Sequence, residues 1–305
     1  MSTSVIQTRD LTKRYKALTA LEGLTLTVEP GEIFGFLGPN GAGKTTTIRL
    51  LLDLIRPTRG EARLFGLPAR DAPVRARVGY LPDELTLDPR LTGRQTLAFL
   101  DALRPRRSRP AEPRRRAEIC ERLGLASADL DRLVRDDSRG TKQKIGLAAA
   151  FQHDPDLLIL DEPTTGLDPL VREAVFDLLH EAGRAGRTVF HSSHVLSEVE
   201  RTCTRVGILR AGRLVAVERV DAIRRTSVRK MVVVFADQVP AQDLAIPGVE
   251  IVKRDASRVV LRVSGGLDPL LKVLARHPVS NLAFPEPDLE EAFVRHYRNA
   301  VEEAR

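Results

Sequence analysis

Eight consecutive residues, Gly38-Pro39-Asn40-Gly41-Ala42-Gly43-Lys44-Thr45, match the spacing GxxxxGK[ST] of a phosphate-cradling loop. They follow the apolar run Ile33 to Leu37 and precede the helical run Thr46 to Leu52, the strand–loop–helix context the motif needs. The glycines let the backbone wrap closely around a β-phosphate, where successive N–H groups and a helix N-terminus supply partial positive charge. Lys44 is expected to reach the β- and γ-phosphate oxygens. The Thr45 hydroxyl is a hard oxygen ligand for Mg²⁺, and Thr46 completes the phosphate-binding set. Downstream, the apolar run Leu157-Leu158-Ile159-Leu160 ends in two carboxylates, Asp161 and Glu162. Asp161 suits a Mg²⁺ site, and Glu162 can point at the water that attacks a γ-phosphate. Two carboxylates at the end of a buried strand are costly without a cation.

These residues must be carried by a sheet. From Val5 to about Ala222, apolar strand-like runs alternate with helical patterns, the signature of an α/β fold. The runs that read as strands are Leu24 to Val28, Ile33 to Leu37, Val78 to Leu81, Leu157 to Leu160, Thr188 to Phe190 and Val206 to Leu209. Between about Leu91 and Leu147 the pattern is helical and rich in arginine and proline, so a helical insert is expected to interrupt the sheet. After a charged stretch, Asp221 to Lys230, strand patterns return at Met231 to Phe235, Val249 to Val252 and Val259 to Val263. Helical faces follow, carried by Leu270, Leu271, Val273 and Leu274, then by Leu289, Ala292, Phe293 and Tyr297. The expected division is residues 1–222, with an insert at about 91–147, and a small accessory α/β domain at 223–305.

Composition narrows the function classes. The 305 residues are 42% hydrophobic, enough for a large domain and a smaller one. No window approaches the roughly 18 uninterrupted apolar residues of a spanning helix, and Met1 to Asp10 lacks a signal-peptide layout, so a cytoplasmic chain is expected. Cys120 and Cys203 are too few and too far apart for a disulfide framework or a zinc cluster. The net charge of +7 is mostly arginine spread along the chain. With aromatic content of only 4%, platforms for stacking single strands are not evident, and no direct nucleic-acid partner is expected.

From about Val5 to Ala222 the chain resembles the ABC ATPase family, which implies a P-loop NTPase core sheet with a helical insert. Pro163-Thr164-Thr165-Gly166-Leu167-Asp168-Pro169 looks like the family's D-loop, with Asp168 as its acid. Ser192-Ser193-His194 followed by Leu196-Ser197-Glu198-Val199-Glu200 looks like its switch segment, and the resemblance assigns His194 to the γ-phosphate. His191 reads as a strand-end histidine. Tyr15, in Leu11-Thr12-Lys13-Arg14-Tyr15, matches the aromatic that stacks on adenine. The signature LSGGQ is altered to Asp137-Ser138-Arg139-Gly140-Thr141. Ser138 and Gly140 keep a hydroxyl and a close-approaching N–H at a helix N-terminus, both suited to γ-phosphate oxygens of the nucleotide held by a second subunit. Asp83, in Val78-Gly79-Tyr80-Leu81-Pro82-Asp83-Glu84, stands where the family has the Q-loop glutamine. Its carboxylate could coordinate Mg²⁺ through water, or be repelled by the γ-phosphate and turn away.

The resemblance therefore implies an ATP- and Mg²⁺-dependent ATPase working as a dimer, a homodimer before a heterodimer, with Glu162, His194 and Lys44 as the catalytic set. The layout of one cassette, an SRG-type signature and a C-terminal appendage ending in Leu289-Glu290-Glu291-Ala292-Phe293 resembles ABC-2 type exporters of drugs, lipids or polysaccharides. A separate membrane permease would then hold the chain at the cytoplasmic face of the membrane. An ABC importer ATPase, which shares every nucleotide motif, and a non-transport ABC ATPase acting as a soluble regulator are the alternatives. The arginine-rich segment Arg104 to Arg116 reads as a solvated face, or as a patch meeting anionic headgroups.

Overall fold

A computed structural model describes residues 4–103, 113–226, 229–237, 244, 246–263 and 266–284. Chain contacts divide it into two units, residues 1–220 and 221–305.

The first unit is built on a six-stranded sheet of order β10-β9-β3-β8-β7-β6, with β3 Ile33–Leu37, β6 Val78–Leu81, β7 Leu157–Leu160, β8 Thr188–Ser193, β9 Arg205–Arg210 and β10 Arg213–Arg219. All pairs except β9–β10 are parallel. Every residue of β3, β7 and β8 is buried, which explains the apolar runs of β3 and β7: a parallel strand covered on both faces has no solvent side to alternate with. Phe34, Phe36 and Phe190 pack against one another at the centre, Phe34 and Phe190 stacked at 5.8 Å between centroids. The registers pair Leu37 with Ser193 and Leu160 with both Leu81 and His191. Gly38, Asp161 and His194 therefore leave the sheet along the same carboxyl edge, where open parallel sheets hold their ligands.

A second, four-stranded sheet has the order β2-β1-β4-β5, with β1 Ile6–Tyr15, β2 Leu18–Val28, β4 Arg59–Leu64 and β5 Leu67–Pro68. It shares a hydrophobic core with β3 and with α1, Lys44–Leu51, through Leu11, Leu24, Val28, Ile48 and Leu51. The short helix α2, Ala72–Arg75, precedes β6. Among the described residues the insert consists of α3 Gly93–Ala102, α4 Pro113–Arg122, α5 Ser127–Asp131 and α6 Arg139–Phe151. Thr92 and Gln95 cap α3 reciprocally, each side chain taking the other's backbone N–H. α7 Pro169–Arg184 and α8 Leu196–Thr202 follow β7 and β8.

The second unit has a four-stranded antiparallel sheet of order β12-β13-β11-β14, with β11 Arg229–Phe235, β12 Val249–Asp255, β13 Arg258–Val263 and β14 Val279–Ala283. Met231, Val233, Phe235, Leu261, Leu270 and Leu274 form its core, the last two from α10, Asp268–Leu274. The helix expected around Leu289 to Tyr297, and Arg104 to Glu112 of the arginine-rich segment, lie outside the described residues.

The sequence pattern under-read several elements. β1, β4, β10 and β14 were not anticipated, and β2 begins at Leu18 rather than Leu24. These antiparallel or edge strands are half exposed, so Arg, Lys and Thr interrupt their apolar residues. In the charged stretch Asp221 to Lys230, α9, Val220–Thr226, occupies the start and β11 begins at Arg229. α6 runs four residues past the expected end of the insert at Leu147.

Candidate active site

The loop after β3 closes tightly because two of its glycines admit no side chain. Gly43 sits at φ 108, and a Cβ there would lie 2.6 Å from the Ala20 carbonyl oxygen; a Cβ on Gly38 would lie 2.5 Å from that of Leu209. α1 starts directly at Lys44, so its first N–H groups open toward the loop. The Lys44 ammonium is buried, donates to the Gly38 carbonyl at 2.6 Å and stands 3.1 Å from Glu162 Oε1. That second contact is an ion pair.

Beside the loop, the register that pairs Leu160 with His191 sets Asp161 next to Ser192. The Ser192 hydroxyl donates to Asp161 Oδ1 at 2.5 Å and accepts the Glu162 N–H at 3.0 Å. Asp161 is fully buried, and burial holds its carboxyl above the usual range; hydrogen bonds from Ser192 and Thr45 pull it back, and Asp83 and Glu162 push it further up. Its Oδ2 has no hydrogen-bond partner. An unpartnered buried carboxylate oxygen, with the Thr45 hydroxyl near the same carboxylate, fits a hard cation. Among the described residues no three His, Cys, Asp or Glu side chains cluster to hold an ion by themselves, so such a cation would draw its other oxygens from phosphate and water.

Glu162 occupies left-handed backbone at φ 50, a conformation that costs a non-glycine residue about 1–2 kcal/mol. Its side chain is gripped at both oxygens, by Lys44 and by His194 Nδ1 at 2.8 Å. His194, on the turn after β8, is half exposed, and its ring faces the same cleft. His191 is a buried strand residue, as its position suggested, with Nε2 3.0 Å from both Thr202 Oγ1 and Cys203 Sγ.

These groups line a cleft of about 720 Å³. Tyr15, 44% exposed, stands at its outer wall, with Leu18, Thr19, Ala20, Ala211 and Gly212. Pro39, Asn40, Gly41, Ala42, Gly43, Lys44, Thr45 and Thr46 also line it, as do Asp83, Glu162 and His194. Gly38 and Asp161 lie beneath this lining, joined to it through Lys44, Thr45 and Glu162. Asp83 is among the residues that line the cleft.

Three predicted residues are not brought into this cleft. Ser138 caps α6 by accepting the Thr141 N–H at 3.1 Å, Gly140 packs on the Gly166 carbonyl, and Asp168 caps α7 by accepting the Val171 N–H at 3.0 Å. Their neighbours Arg139 and Thr165 do reach the lining. Sequence reasoning assigned no role to Ser192, although it lies inside the switch segment, nor to Gln143, whose amide donates to the Pro163 carbonyl at 3.2 Å.

Residues 21–165 match the family described as ABC transporter. An uncharacterised ABC transporter ATP-binding protein of Nostoc sp. is 41% identical over 72% of this chain and 68% of its own. The Nod factor export ATP-binding protein I of Paraburkholderia xenovorans is 39% identical over 71% of each chain. The daunorubicin/doxorubicin resistance ATP-binding protein DrrA of Streptomyces peucetius is 39% identical over 70% of this chain and 65% of its own. A solved structure of the ATP-binding subunit of an ABC transporter superposes with a TM-score of 0.65 at 31% identity, over 73% of this chain and 92% of that one.

Proposed function

This chain belongs to the family of ABC transporter ATP-binding proteins, and from that premise we propose that it is the ATP-hydrolysing subunit of a membrane exporter of the ABC-2 type. The observation that carries the hydrolytic part is the placement of Glu162: one carboxylate held at 3.1 Å by the phosphate-loop lysine and at 2.8 Å by His194, at the mouth of a glycine-loop cleft. Export is supported by the names of two relatives, one a drug-resistance protein and one a Nod factor exporter.

In this reading the Tyr15 ring stacks on the adenine, and the N–H groups of Gly41 to Thr45 hold the β-phosphate. Lys44 turns from the Gly38 carbonyl to the β- and γ-phosphate oxygens. Thr45 and Asp161 would hold Mg²⁺, which would supply positive charge to offset that of the triphosphate. Asp83 lines the same cleft and would contribute to that site through water. Glu162 orients a water and accepts its proton as the water oxygen bonds to the γ-phosphorus and the bond from that phosphorus to the β-bridging oxygen breaks, leaving ADP and phosphate. His194 holds the Glu162 carboxylate in place and hydrogen-bonds the γ-phosphate.

Ser138, Gly140 and Asp168 lie outside the chain's own cleft, which supports a role toward the nucleotide of a second subunit. Two such subunits would close around shared triphosphates and open after hydrolysis, since a ligand shifts an equilibrium only by its differential affinity for the two states. No helix among the described residues is long and apolar enough to cross a membrane. A separate permease would form the path and anchor the subunit at the cytoplasmic face. Residues 221–305 are an accessory domain in this scheme.

The test is Glu162→Gln in the complex purified with its membrane partner. Turnover should fall about 10²-fold or more while ATP binding persists, and the ATP-bound dimer should accumulate in sedimentation. Unchanged turnover removes Glu162 from the role of base. A wild-type complex inert toward ATP and Mg²⁺ sinks the motor reading.

A further inference from the structure

Glu198 is a carboxylate with no part in the steps above, yet it is only 7% exposed. It lies in the first turn of α8, and its two oxygens are bound to different segments. Oε1 accepts the Thr164 hydroxyl at 2.8 Å, and Oε2 accepts the Ser193 hydroxyl at 2.9 Å. Arg172 stands 3.9 Å from Oε1 and supplies the nearest positive charge among the described residues. Thr164 belongs to the turn that joins Glu162 to Asp168. Ser193 is the last residue of β8 and the neighbour of His194, and its Oγ also accepts the Val195 N–H at 2.9 Å, which shapes the turn that carries the histidine. One carboxylate thus binds the far ends of both halves of the Glu162–His194 pair.

The same turn is tied down from the other side. The Gln143 amide, on α6, donates to the Pro163 carbonyl at 3.2 Å and approaches that of Glu162 at 3.4 Å. A residue at φ 50 with a Cβ stays there only where its surroundings over-determine it. A helix-terminal acid serving only the dipole of α8 would not need to be buried or to take a hydroxyl from 34 residues upstream. A buried charge draws every available donor to itself because an unmet one is expensive, so the two hydroxyls are held firmly.

We infer that Glu198 is a positioning residue for ATP hydrolysis: it clamps the Thr164 turn to the Ser193–Val195 turn and so keeps His194 and Glu162 at their 2.8 Å contact. This rests on Glu162 and His194 being the hydrolytic pair. Glu198 touches none of the residues that line the phosphate loop, so its loss acts on turnover and leaves nucleotide capture alone. The clamp also passes any movement of the segment bearing Asp168 to the histidine turn.

The experiment measures kcat, KM for ATP and thermal melting on the full-length protein for wild type, Glu198→Ala, Glu198→Gln and Thr164→Val, with Thr164→Val repeated in the Glu198→Ala background. Glu198→Ala should lower kcat by about 10- to 100-fold, the range expected when reacting groups shift by a fraction of an ångström to an ångström, with KM unchanged within about twofold. Glu198→Gln should recover much of the loss, because the two hydroxyls can reorient to an amide. Thr164→Val should lower kcat alone and have no further effect once Glu198 is alanine. Wild-type kcat in Glu198→Ala overturns the inference, as does a Thr164→Val effect of equal size in both backgrounds, or a loss that appears in KM. Should Glu198→Ala fail to fold, the near-isosteric Thr164→Val decides by itself: unaltered kcat overturns the clamp. A wild-type protein that binds ATP without turning it over removes the hydrolytic reading and the clamp with it, whereas an active wild type with an indifferent Glu198→Ala removes only the clamp.

Discussion

Removing one hydroxyl, by Ser192→Ala, should damage both stability and turnover. Ser192 is fully buried and makes two bonds, to the Asp161 carboxylate and from the Glu162 N–H. A hydrogen bond to a charged group contributes about 1.5–3 kcal/mol, and an orphaned buried N–H costs about 1–3 kcal/mol. Local relaxation recovers part of this, so a loss of about 3 kcal/mol is expected. For a unit of this size that corresponds to a fall in Tm of roughly 6–12 °C. The loss should also depend on pH. Asp161 has its folded pKa raised by burial, so the stability it contributes is present below its unfolded pKa and lost as pH rises through the folded one. Ser192 lowers that pKa; without it the folded value climbs further, and the variant should lose more at the higher of two pH values that bracket the Asp161 titration than at the lower. Denaturant melts of wild type and variant at both pH values, with and without Mg-ATP, measure the effect, and the loss should shrink when Asp161 has a cation to face. A fall below about 2 °C, or an equal loss at both pH values, would refute the account of Asp161 as an electrostatically strained, under-partnered carboxylate.

Tyr15→Ala should weaken ATP about 5- to 10-fold, the low end of base stacking because the ring is 44% exposed, while Tyr15→Trp retains affinity; titration with a fluorescent nucleotide tests this, and equal affinities would remove the stacking role. Burial pushes the Cys203 thiol up to about 12 and raises Cys120, so neither should react with a disulfide reagent at about pH 8 until the protein is unfolded; rapid labelling of the native state would contradict the packing. Burial lowers His191 to about 4, so its stabilising contribution is present above the unfolded value near 6.5 and lost as pH falls from there toward 4. His191→Gln should flatten the acid limb of stability in that window, and an imidazole resonance of His191 titrating near neutrality would show the burial to be wrong.

The residues proposed to handle phosphate were legible because their chemistry is contiguous. Eight residues between a strand and a helix make the cradle, and Asp161-Glu162 sits at the end of a strand whose unbroken leucine and isoleucine run already announces burial on both faces. Half-exposed strands such as β1 and β4 were harder to see, since solvent on one side admits arginine and threonine between the apolar residues. The supports of the site were not legible at all. Ser192 meets Asp161 across 31 residues, Glu198 meets Thr164 across 34, and Gln143 meets Pro163 across 20. Nothing in the local spacing pairs these residues. Their contacts exist only because burial of the apolar strands fixes the parallel register of β7 and β8, which brings Asp161 to Ser192, and because the turns beyond that edge then converge on one buried carboxylate. Residue type and order were enough to specify which chemistry is possible here. The packing of the sheet decides which side chains hold Glu162 and His194 to 2.8 Å, because hydrogen bonds of that length are made by neighbours in space and not in sequence.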